Sequence, residues 1–136
     1  VSLVLDSSAT LAWVYSDETT EGIRAVFDQV SSEGAWVPSL WRLEVANVLQ
    51  MGVRRGRHDG AFRDATVADL GLLPVQVDSE TERQAWGATL RLAERHTLTV
   101  YDAAYLELAL RRGLPLATLD QELRAAAAVE RVAVLG

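Results

Sequence analysis

The stretch LTVYDAAYLELALRRGLPLATLDQEL, Leu98 to Leu123, decides how the chain is built. Asp102 stands where a helix is expected to begin, and Asp102 to Arg112 carries the helical pattern until Gly113 stops it. Leu116 to Thr118 then reads as a short buried strand, and Asp120 leads into a helix over Gln121 to Ala127. Each aspartate either caps a helix or forms part of a site completed from upstream.

Outward from that stretch, the same alternation recurs. Leu3 to Leu5 is a continuous apolar run ended by Asp6, Ser7 and Ser8, the pattern of a buried strand running into a helix. Ala9 to Tyr15 and Thr19 to Val30 are predicted helices, the second with Ile23, Val26, Phe27 and Val30 at helical spacing. Ala35 to Val37 is extended and ends at Pro38. Ser39 is the expected N-cap of a helix carrying Leu40, Trp41, Leu43, Val45, Val48, Leu49 and Met51, with its stop near Gly52 or Gly56. Ala61 to Leu70 is a further helix and Val75 to Val77 a second central strand. Glu80 to Arg95 is expected as one long amphipathic helix with Trp86, Leu90 and Ala93 on one face. Val132 to Leu135 is a final edge strand. Strands alternating with helices predict an α/β fold, three layers α/β/α around a central, mainly parallel sheet.

Composition narrows the chemistry. The 136 residues suit one domain, 1–136, and no repeat or low-complexity run interrupts them. No apolar run approaches the roughly 20 residues of a membrane helix, and the N-terminus lacks the basic start and apolar middle of a signal peptide, so a cytoplasmic protein is expected. There is no Cys and there are only 2 His, which excludes thiolate zinc and cysteine nucleophiles. All 13 basic residues are Arg, which removes chemistry requiring a lysine amine. The net charge of −6 argues against a broad basic face for nucleic acid and favours cations and a basic partner.

Among the acids, Asp6, Asp102 and Asp120 each have an ordinary explanation as N-caps, accepting backbone N–H bonds at the positive end of a helix dipole. Glu44 does not. Its helical neighbours Leu40, Trp41, Asn47 and Val48 make a largely apolar face, so its charge calls for a partner such as a cation or an Arg. If the fold brings such carboxylates within about 5 Å, each pair repels by roughly 3 kcal/mol at an effective dielectric near 20. Protonation or a bound Mg²⁺ or Mn²⁺ would offset that, and a divalent ion held by oxygen is suited to phosphate-ester chemistry.

With the opening VLDSSATLAW, the helix segment SLWRLEVANVL and the block from Leu98 to Leu123 in that order, the chain resembles PIN-domain ribonucleases, most of all the VapC-type toxins of bacterial toxin–antitoxin pairs. The resemblance spans nearly the whole chain. It implies Asp6, Glu44, Asp102 and Asp120 as an acidic quartet holding one or two Mg²⁺ or Mn²⁺ ions, with Ser8 and Thr118 in support, although those hydroxyls also suit caps and turns. It implies a metal-dependent endoribonuclease leaving 5′-phosphate and 3′-hydroxyl ends, a cognate antitoxin as partner, and a homodimer.

The alternative of a different class is a non-catalytic PIN-like module whose acidic pocket binds a basic partner segment. Metal-dependent RNA cleavage separates the two. Arg54, Arg55, Arg57 and His58 either steer RNA or complement a helix C-terminus, and Arg111 and Arg112 share that ambiguity. His58 and His96 are given no chemistry, and Trp13, Trp36, Trp41 and Trp86 are expected in core or interface packing.

Overall fold

A computed structural model describes residues 1–136. Five parallel strands form one sheet in the order β3-β2-β1-β4-β5: β1 is Leu3–Leu5, β2 Ala35–Val37, β3 Val75–Val77, β4 Leu116–Ala117 and β5 Val134–Leu135. Successive strand residues face opposite sides, yet Leu3, Val4 and Leu5 all have 0% exposure, so both faces of the central strand are covered. The expected α/β architecture is present, and its sheet is parallel throughout.

The helices are α1 (Ser7–Val14), α2 (Glu21–Glu33), α3 (Trp41–Arg54), α4 (Gly60–Leu70), α5 (Thr81–Gln84), α6 (Ala88–His96), α7 (Val100–Arg112) and α8 (Gln121–Val129). Helix α7 packs on β1, β4, α6 and α8. Its residues Ala103 to Ala109 are buried without a break, because a helix enclosed on every side must be apolar all round. The exception is Glu107, whose charge is met by Arg111 one turn on at 2.8 Å. Gly113, at φ 65°, ends α7 in the left-handed conformation, and the Leu114 N–H returns to the Ala109 carbonyl at 3.0 Å.

Several expectations require correction. Val75–Val77 is an edge strand rather than a central one, and its outward residues are exposed. The span from Glu80 to Arg95 is two helices, since Gly87 adopts φ −117° and ψ −103°, outside the helical basin. That break turns Trp86 into solvent at 94% exposure, so it is no core residue. Helix α3 has Leu40 at its N-cap and no side-chain cap, while the Ser39 N–H donates to Thr81 Oγ1 at 3.1 Å. Residue periodicity could not register either local event, because a break and a missing cap leave the apolar spacing intact.

The topology also decides where a ligand can bind. From β1 the chain moves outward to β2 and β3, then crosses back to β4 on the other side of β1. The helices following β1 and β4 therefore diverge, and a crevice opens at the carboxyl ends of these two strands. Asp6 directly follows β1, and Thr118 to Asp120 directly follow β4.

Candidate active site

Asp6 is 3% exposed and is the N-cap of α1. Its Oδ1 accepts from the Ala9 N–H at 2.9 Å and the Ser8 hydroxyl at 2.7 Å, and its Oδ2 accepts from the Thr118 hydroxyl at 2.5 Å. Both hydroxyls are aimed from the β4–α8 loop: the Leu119 N–H donates to Ser8 Oγ at 3.0 Å and the Asp120 N–H to Thr118 Oγ1 at 3.1 Å. Ser8 and Thr118 thus join the two sides of the crevice. Arg124 fixes the same loop by donating to the Thr118 carbonyl at 2.7 Å.

Asp120 is the N-cap of α8, its Oδ1 accepting from the Leu123 N–H at 2.8 Å. Asp102 is not a cap, contrary to expectation. Thr99 caps α7 by accepting the Asp102 N–H at 3.1 Å, which places Asp102 in the first turn, where its carboxylate caps no backbone N–H. A threonine immediately before the apolar pair Val100 and Tyr101 was the missed signal. Capping therefore explains two of the four acids, and both Asp102 and Glu44 stand outside it.

Glu44 is half-buried in the first turn of α3. No Arg pairs with it. Its Oε1 accepts from the Tyr105 hydroxyl at 2.6 Å and the Ser7 hydroxyl at 3.3 Å. Tyr105 and Ser7 escaped the sequence reading because an apolar-face tyrosine looks like packing, and only the approach of α7 to α3 reveals its hydroxyl contact. Of the neighbours judged apolar, Trp41 is buried and Val48 is 38% exposed, so the face is less enclosed than its composition suggests.

The electrostatics tie the quartet together. Burial pushes the Asp6 carboxyl up to about 6; Thr118, Ala9 and Ser8 oppose the rise, and the charge of Asp102 adds to it. Asp102 is also raised, by burial first and then by repulsion from Asp120 and Glu44, against the lowering effect of the Thr99 hydroxyl. Burial, followed by the hydrogen bond to Glu44, holds the Tyr105 phenol far above its usual range, so it remains a donor. No member of the quartet forms a salt bridge, although Arg57, Arg63, Arg83, Arg95, Arg111 and Arg112 all find acidic partners elsewhere. The carboxylates interact through their fields without touching. As their side chains stand, no three of them are arranged to hold a metal ion. Their chemistry nevertheless fits a hard divalent cation: an oxygen-only set in which no carboxylate is compensated by a basic side chain.

The remaining polar clusters lie elsewhere. Arg57 pairs with Glu18 and stacks over Tyr15, and the Tyr15 hydroxyl meets His58 Nε2 at 2.9 Å. His96 and Arg95 both bind Glu130, joining the ends of α6 and α8. Arg111 is locked between Glu107 and the buried Asp78, while Arg112 covers Trp36. Arg54 and Arg55 close α3 at its C-terminus.

Residues 3–129 match the family model described as PIN domain. Over 127 residues the chain is 34% identical to Ribonuclease VapC3 of Pyrobaculum aerophilum, covering 90% of this chain and 92% of that protein. Among solved structures, PAE2754 from the same organism superimposes with a TM-score of 0.72 at 26% identity, over 98% of this chain and 83% of that one. FitAcB from Neisseria gonorrhoeae gives a TM-score of 0.69 at 16% identity, over 98% and 96% of the two chains, a likeness of fold alone.

Proposed function

The chain belongs to the PIN-domain family, in its VapC group, and from that premise we propose that it is a divalent-cation-dependent endoribonuclease, the toxin of a toxin–antitoxin pair. The observation that carries this reading is the gathering of Asp6, Glu44, Asp102 and Asp120, none with a basic partner, around the crevice where β1 and β4 end. Such a set has too much negative charge to bind a phosphodiester unaided.

In this proposal the four carboxylates hold Mg²⁺ or Mn²⁺. When bound, the ion supplies a Lewis acid for the phosphate and a water of lowered pKa. The chain's own contribution is placement. Ser8, Thr118 and the Ala9 N–H fix both Asp6 oxygens, while α8 fixes one oxygen of Asp120. Asp102 offers its carboxylate from the first turn of α7. Water attacks phosphorus in line with the leaving 3′-oxygen, which departs as a 3′-hydroxyl and leaves a 5′-phosphate on the other fragment.

The protein acts as one PIN-like unit in the cytoplasm and forms a homodimer. Its antitoxin covers the acidic crevice with a basic segment, whose charge takes the cation's place. No helix is long and apolar enough to cross a membrane.

Incubation of purified protein with RNA tests the activity, with Mg²⁺, Mn²⁺ or a chelator present. Cleavage is expected only with a divalent ion, and Asp102→Asn is expected to slow it at least about 100-fold. Equal cleavage by wild type and Asp102→Asn would overturn the mechanism.

A further inference from the structure

Tyr105 is 1% exposed, and its aromatic ring belongs to the core. Its hydroxyl, however, reaches from α7 to Glu44 on α3, 61 residues away in sequence, and donates to Oε1 at 2.6 Å. Tyr105 follows Asp102 by three positions, so the two side chains leave neighbouring points on one face of α7. Ser7, the first residue of α1 and next to Asp6, donates to the same Glu44 oxygen at 3.3 Å. Two hydroxyls from two helices therefore converge on Oε1. Oε2 accepts no hydrogen bond.

A hydroxyl orients a carboxylate without cancelling its charge, unlike an Arg. From this geometry we infer that Tyr105 is the positioning residue of Glu44: with Ser7 it occupies Oε1 and leaves Oε2 as the single oxygen Glu44 presents to a divalent cation. The inference rests on the reading of the quartet as a cation site. Tyr105 does not touch the cation or the RNA. It holds Glu44 in one orientation before the ion arrives, and it couples that orientation to α7, the helix that also carries Asp102. Removing such an outer partner of a ligand lowers metal affinity by about 10- to 100-fold.

Manganese titration of the full chain, with free Mn²⁺ followed by electron paramagnetic resonance, tests this without relying on cleavage. Tyr105→Phe keeps the ring and removes only the hydroxyl, and it is expected to bind Mn²⁺ about 10-fold more weakly than wild type. Glu44→Gln is also expected to bind more weakly, and the double variant no more weakly than Glu44→Gln alone. Ser7→Ala, which keeps Tyr105 and removes the longer of the two hydrogen bonds, is expected to show a smaller loss. Weakened binding by Glu44→Gln alongside wild-type binding by Tyr105→Phe, whatever Ser7→Ala does, would overturn the positioning role and leave the cation site standing. Additive losses in the double variant would also overturn it, since Tyr105 would then act independently of Glu44. Wild-type binding by Glu44→Gln would instead remove Glu44 from the site, and the inference with it.

Discussion

Thr118 donates its hydroxyl to Asp6 Oδ2 at 2.5 Å across 112 positions of sequence, and its Oγ1 accepts the Asp120 N–H at 3.1 Å. One side chain thereby sets the spacing between the carboxyl ends of β1 and β4. Thr118→Val preserves shape but leaves the Asp120 N–H without its acceptor and Asp6 Oδ2 without its donor. A loss of roughly 1–3 kcal/mol is expected, read as a lower urea midpoint at unchanged slope. Thr118→Ser should recover most of it.

Asp6 makes stability depend on pH. Its folded value of about 6 lies above the 3.8 of an unperturbed Asp. Folding therefore favours the protonated form, and this contribution is fully present below pH 3.8 and lost as pH rises through about 6. In chelator, wild type should lose roughly 2 kcal/mol relative to Asp6→Asn between about pH 4 and about pH 7.5. Denaturant melts of both proteins at each pH measure the difference, and a constant difference would refute the raised value.

Asp78 has a fully enclosed side chain and binds Arg111 through both oxygens at 3.0 and 2.7 Å. Burial alone would raise its carboxyl, but the Arg111 guanidinium, joined by the Thr81 hydroxyl and the charge of Arg112, outweighs that and holds it below the usual value. Asp78→Ala leaves Arg111 with Glu107 and, at 3.9 Å, the more exposed Glu80, and is expected to cost about 3–5 kcal/mol. Arg111 binds none of the quartet, so the folded fraction of the variant should retain wild-type Mn²⁺ affinity. Thermal melting and Mn²⁺ titration of the same sample separate the two effects.

Gly52 is packed against His58, and a methyl group there would collide with the imidazole. Gly52→Ala must displace His58 from the Tyr15 hydroxyl and disturb its contact with Phe62, whose ring centroid lies 4.7 Å away. Overpacking of this kind costs roughly 1–3 kcal/mol. The double variant Gly52→Ala with His58→Ala should recover part of the loss, and calorimetric melts of the single and double variants report it.

Apolar runs, stop signals and strand-helix alternation were sufficient for the α/β architecture, because burial on both faces of a parallel sheet leaves continuous hydrophobic segments such as Leu3–Leu5. The break at Gly87 was not legible, since the apolar period of Glu80 to Arg95 continues across it. Nor was the order of the sheet. Val75–Val77 resembles a central strand in composition, and only pairing with β2 alone makes it an edge.

By itself, the sequence determined which residue types were available: carboxylates without Cys or Lys, two of them at strand ends, and one in a helix whose pattern offered it no capping role. Only the tertiary structure decided what surrounds them. It moved Asp102 from the cap into the first turn by giving the cap to Thr99, and it gave Glu44 two hydroxyl partners. It also strung Asp6 to the Asp120 backbone through Thr118. The reason is physical: covalent order and local propensity act over a few residues, whereas these hydrogen bonds join groups 37, 61 and 112 positions apart, apart from the local cap at Thr99. They exist only once β1 and β4 pair and α7 is pressed between the sheet and its neighbouring helices.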